Sequence, residues 1–111
     1  MATEQEFIEQ LKKMQRRPST PGDLLEDLMA CNSLTTSDVA KRIGVSQQIL
    51  NDLICEKRAL TPDLAQRLGR LFGGGPGLWL KFQQQVDLWD ALHMDQSQYE
   101  DIEPLPRAEA A

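Results

Sequence analysis

The chain is short of aromatic residues: two Trp, one Tyr and three Phe make up 5% of 111 residues. Leu dominates its apolar residues, which favours helices over a β-sandwich or barrel. It has one His, His93, and two Cys, Cys31 and Cys55, with neither a CxxC pair nor metal-ligand spacing. No metal and no cofactor are therefore expected, and the two thiols read as reduced, small apolar fillers. No stretch approaches the roughly 18–20 consecutive apolar residues of a membrane span. No basic-then-apolar leader opens the chain either, so a cytoplasmic location and no membrane partner are expected. The glycine run at 73–77 lacks a Lys-Ser/Thr end and follows no strand, so it is not a phosphate loop. With no nucleophile, metal set or cofactor loop, an enzyme is the least expected class.

A basic surplus is missing too. The net charge is −5, and it is unevenly spread: +1 over 1–20, −2 over 21–58, zero over 59–92 and −4 over 93–111. Without the last stretch the chain is nearly neutral. A negative total does not exclude nucleic acid, but it argues against a binder relying on charge alone. The apolar share of 41% is enough for one modest core, and the length suits one domain.

The periodicity is helical throughout. Residues 4–17 place Phe7, Leu11 and Met14 on one stripe of a charged helix, and RPSTP ends it. Thr20 with Pro21 starts a second helix, with Asp23 three residues after the cap and Leu24, Leu25, Leu28 and Met29 turned inward. Thr35 caps a third, which Gly44 stops. Ser46 caps a fourth over 47–55, and Thr61-Pro62 repeats the cap-plus-proline start. Pro76 opens a last helix through about Leu92, with Leu78, Phe82, Val86 and Trp89 along a seam. Residues 93–111, with five acids and two prolines, read as mostly disordered.

The informative stretch is TSDVAKRIGVSQQILNDLICEKR at 36–58. Two short helices are joined by one glycine and a hydrophobic residue. Ala40 is small where the helices approach, Gly44 admits positive φ, and Val39, Ile43, Val45, Leu50 and Leu53 hold the pair. This spacing is a helix-turn-helix signature; the plainer alternative is two core helices around a glycine turn. In such a motif the second helix offers its first turns to the major groove, here Gln47, Gln48 and Asn51. Their amides match adenine's N7 and N6 edge, worth about 1–3 kcal/mol of discrimination; the alternative is a solvated polar face. Ser46, Thr36 and Ser37 at the helix starts can hold phosphates. Lys57 and Arg58 follow the reading helix and can flank the backbone, and Lys41 and Arg42 are either helpers or ordinary solvated charges. So few cations favour two protomers on a two-fold, palindromic site.

Four blocks give the chain a family resemblance: TPGDLLEDL at 20–28, DVAKRIGVSQQILNDL at 38–53, KRALTPDLAQRLGRLF at 57–72 and PGLWLKFQQQVDLWDA at 76–91. Residues 20–92 resemble a HigA-type antitoxin of the XRE helix-turn-helix superfamily. The departures are Thr20 for the usual His, Asp23 for Glu, Glu56 where a Gly commonly ends the reading helix, and Val86 for an aromatic. The resemblance implies an all-α fold: a five-helix, lambda-repressor-like domain over 20–92, with a helical extension at 1–19 and an acidic tail at 93–111. It implies a homodimer on double-stranded operator DNA and a HigB/RelE-like toxin partner that cleaves messenger RNA. Repression of the shared operon and neutralisation of that toxin follow from it. A stand-alone XRE-type repressor is the nearest alternative, and a protein-binding adaptor without DNA reading is another.

The remaining polar and aromatic residues have plainer roles. His93 reads as a surface or helix-end residue. Trp79 and Trp89 can stack bases, but their apolar neighbours favour packing. The apolar seam of the last helix exceeds what a small domain buries, so Leu78, Trp79, Phe82, Val86 and Trp89 are expected at a dimer interface. Asp87 and Asp90, three residues apart, make a weak candidate for a catalytic carboxylate pair.

Overall fold

The computed structural model of the chain describes residues 3–13 and 16–106, the side chains of Phe7 and Leu11 excepted. Among the described residues there are six helices and no strand. They are α1 (Glu4–Lys13), α2 (Pro21–Cys31), α3 (Thr36–Ile43), α4 (Gln47–Ile54), α5 (Pro62–Phe72) and α6 (Gly77–His93). The expected Phe7, Leu11 and Met14 stripe lies outside the described residues. None of the described helices is long and apolar enough to cross a membrane.

Local chemistry explains where the central helices begin. Thr20 is extended, and its hydroxyl accepts the Asp23 N–H at 3.0 Å while the Asp23 carboxylate accepts the Thr20 N–H at 3.0 Å. Thr35 and Asp38 repeat this reciprocal pair at 3.1 and 2.9 Å. Each pair satisfies two backbone donors that a helix start would otherwise leave open. Ser46 and Thr61 cap α4 and α5 through the N–H groups of Ile49 and Leu64. Pro76 precedes α6 without a side-chain cap.

The core is built where α2 packs on α4 and α6, α3 on α4 and α5, and α5 on α6. Leu25, Val39, Leu50, Leu64, Leu68 and Trp79 are fully enclosed there. At two places a helix is approached so closely that only glycine fits. A Cβ on Gly22 would stand 2.7 Å from the Ile54 Cα, and one on Gly69 would stand 2.3 Å from the Gly75 carbonyl carbon. α1 lies against α6, outside this core.

The structure departs from two expectations. Cys31 and Cys55 are exposed at the ends of α2 and α4 instead of filling the core, because each falls on the outward side of its helix's last turn. Trp79 and Val86, expected at a dimer interface, are each only 2% exposed within the single chain. Trp79 meets Phe72 with ring centroids 6.0 Å apart. Beyond α6 the described chain makes turns around 97–101, and every residue from His93 to Pro106 is exposed.

Candidate nucleic-acid interface

The helix-turn-helix begins at α3. Its last residue leads into Gly44 at φ +74, a conformation glycine adopts without strain. The Gly44 and Val45 N–H groups both reach the Ala40 carbonyl, at 2.9 and 3.1 Å. Arg67 on α5 donates from Nη1 to the Ile43 carbonyl at 2.7 Å and from Nε to Asp63 at 3.0 Å. The turn is thus closed on both sides, and α3 and α4 are held as one unit. The Thr35 cap holds the Asp38 carboxyl below its ordinary range, with the nearby Lys41 and Arg42 adding to the effect.

On α4, Leu50 and Leu53 are buried while Gln47, Gln48 and Asn51 are exposed. These three side chains therefore share the outer side of the first turns, beside the exposed cap Ser46. Gln48 is already oriented, since its Nε2 donates to Asp52 at 2.7 Å. Thr36 and Ser37 form the half-buried first turn of α3. Lys57 and Arg58 are exposed just past α4, with no ion-pair partner among the described residues.

α4 closes without a glycine. The Glu56 N–H reaches the Leu53 carbonyl at 3.2 Å and the Lys57 N–H reaches that of Asp52 at 2.8 Å, a Schellman turn. Glu56 itself sits at φ +60, where a side chain costs about 1 kcal/mol or more. Its carboxylate is held by Arg17, from the connector before α2. The same guanidinium grips both oxygens of Asp90 on α6, each at 2.7 Å. Those bonds hold the Asp90 carboxyl below its ordinary range and push the Arg17 guanidinium further up.

The Arg17 contacts went unread in the sequence, because their partners lie 39 and 73 residues away. Asp90 is thus committed to Arg17, and Asp87 accepts from Gln83 Nε2 at 2.8 Å. Neither carboxylate stands free for the weakly favoured catalytic pairing. The other end of Gln83 accepts the Leu60 N–H at 2.9 Å, tying α6 to the segment after α4.

The α6 seam divides. Trp79 and Val86 face inward, Phe82 and Trp89 are half-buried, and Leu78 is 53% exposed. His93 ends the helix, stacked on Trp89 at 3.9 Å and bonded to its carbonyl through Nδ1.

No protein-family model matches the chain. Among curated proteins, an uncharacterised HTH-type transcriptional regulator of Escherichia coli K12 is 33% identical over 91 residues, 81% of this chain and 80% of that protein. Among solved structures, the Pseudomonas aeruginosa antitoxin HigA with the higBA promoter has a TM-score of 0.71 and 33% identity. That match covers 81% of this chain and all of the other. An addiction module antidote protein of the HigA family from Coxiella burnetii has a TM-score of 0.70 and 27% identity, over 81% of this chain and 100% of that one.

Proposed function

The chain belongs to the HigA-type antitoxin family of the XRE helix-turn-helix superfamily, and from that premise we propose that it reads double-stranded operator DNA and neutralises a toxin. One observation carries the DNA reading: Gln47, Gln48 and Asn51 stand outward on a capped helix whose Leu50 and Leu53 are buried. In this reading α4 enters the major groove and its amides contact base edges. Ser46, Thr36 and Ser37 meet phosphates at the helix starts, and Lys57 and Arg58 meet them past the end of α4. Residues 20–92 carry this unit, with 1–19 as an extension and 93–111 as an acidic tail. Two protomers join through the outward part of α6, which carries Leu78, Phe82 and Trp89, and sit on a palindromic site. The protein represses its own operon and binds a HigB/RelE-like toxin, as the family's antitoxin character supports.

Replacing Gln47, Gln48 and Asn51 together with Ala tests the reading helix. Preference for the DNA upstream of the protein's own gene over a scrambled duplex, measured at one fixed salt concentration, is expected to vanish while the helical spectrum is kept. An unchanged preference would sink the assignment. The E. coli relative's name, a transcriptional regulator, favours the second reading of a stand-alone repressor. Co-expression with the product of an adjacent toxin-like gene separates the two, because only an antitoxin relieves the growth arrest.

A further inference from the structure

We propose that Arg17 is a positioning residue for DNA binding: by occupying Glu56 and Asp90 it leaves Arg58 free to hold a phosphate. The inference rests on the DNA-reading function proposed above. Arg17, Glu56, Arg58, Asp87 and Asp90 all line one cleft of about 210 Å³ between the start of α2, the exit of α4 and α6. Three of those groups are carboxylates, and Arg17 is tied to two of them. Arg58 lies two residues past Glu56, lines the same cleft, and pairs with no carboxylate among the described residues.

The alternative pairing is the key. With Arg17 removed, the Glu56 and Asp90 carboxylates lose their partner while Arg58 stands beside them. A guanidinium pairs readily with such oxygens. Arg58 then turns inward and leaves its phosphate. Glu56 also loses the side-chain contact made from its left-handed position, which leaves the exit of α4 to the two backbone bonds of its Schellman turn. Arg17 contacts no DNA in this scheme. It belongs to the connector between α1 and α2, so the connector governs a contact made at the far end of the reading helix.

The test is a double-mutant cycle on DNA affinity, with the full-length chain and a duplex from upstream of its own gene over a salt series. Arg58→Ala is expected to weaken binding about five- to tenfold per protomer near 0.1 M salt, and to lower the salt slope by about 0.9 per protomer. Arg17→Ala is expected to do the same. The double variant is expected to bind no more weakly than Arg17→Ala, because the phosphate contact is already gone.

Additive losses, with each substitution lowering the slope independently, would show that Arg17 meets DNA itself and would overturn the proposal. So would an Arg17→Ala variant that binds like the parent. If Arg17→Ala melts below the assay temperature, Arg17→Lys runs through the same cycle, since a lysine keeps the charge but cannot span both carboxylates. The triple substitution on α4 serves as the reference: retained preference there overturns the DNA-reading function, whereas lost preference with an additive cycle overturns only the role of Arg17.

Discussion

Gly22→Ala tests how tightly α4 is seated against α2. Gly22 lies at the second position of α2, where an added methyl would come within 2.7 Å of both the Ile54 Cα and the Leu53 carbonyl oxygen. Both obstacles are backbone, so no side chain can swing aside. Carbon atoms rest at about 3.5–4.0 Å, so the two helices must part by close to 1 Å. Overpacking of this kind costs about 1–3 kcal/mol. Alanine's better helix propensity returns up to about 1 kcal/mol. The expected net loss is therefore about 1–2 kcal/mol, a fall in Tm of about 4–8 °C for a chain of this size. Gly77→Ala is the matched control: it stands at the first position of α6, with nothing within 4 Å of the added carbon. There the same change is expected to stabilise by about 0.4–1 kcal/mol. Thermal melts at one protein concentration compare the two. A Gly22→Ala protein melting at or above the parent would refute the close approach of α2 and α4.

The two sides of α6 are expected to respond differently. Trp79→Ala empties an enclosed site and should cost about 3–5 kcal/mol; Leu78→Asp should leave the melt nearly unchanged but reduce the dimer fraction in sedimentation, and an unaltered dimer would remove Leu78 from the interface. Asp90 and Asp38 have carboxyls held below the ordinary value of 3.8. Their stabilisation is complete above that value and is lost as pH falls through it towards the folded-state values. Denaturant midpoints measured down the acid range should drop accordingly, and Asp90→Asn should flatten part of the fall; an equally steep fall in that variant would separate Asp90 from the acid response.

The starts of α2, α3, α4 and α5 were legible because a cap is a contact between residues three apart. Thr20 with Asp23, Thr35 with Asp38, Ser46 and Thr61 all sit where their side chains can meet the first helical N–H groups. Gly44 was readable for a similar reason, since the turn needs positive φ there. The outward face of α4 followed from the inward spacing of Leu50 and Leu53. On α6 no such spacing separates the inner from the outer side. Leu78, Trp79, Leu80, Phe82, Val86, Leu88 and Trp89 are not gathered on one face, so the sequence marks no single inner side. Which of them meets α5 is decided by tertiary packing, and Trp79 and Val86 take the inward places. Arg17 gave no sign in the sequence because nothing local distinguishes it from Arg16, and its partners are brought near only by the fold.

The bond from Gln48 to Asp52 has an entropic consequence. A flexible side chain loses about 0.5–1.5 kcal/mol of rotamer freedom when a ligand immobilises it. Gln48 has already surrendered part of that freedom in the unbound protein, where Nε2 is held at 2.7 Å from the Asp52 carboxylate. Its Oε1 and second amide hydrogen are left over, aimed in a direction set before any encounter. Its neighbours Gln47 and Asn51 are exposed and carry no such tether among the described residues. Of the three amides on this face, Gln48 therefore arrives with the smallest ordering cost, and a base edge suited to its preset orientation gains the difference as selectivity.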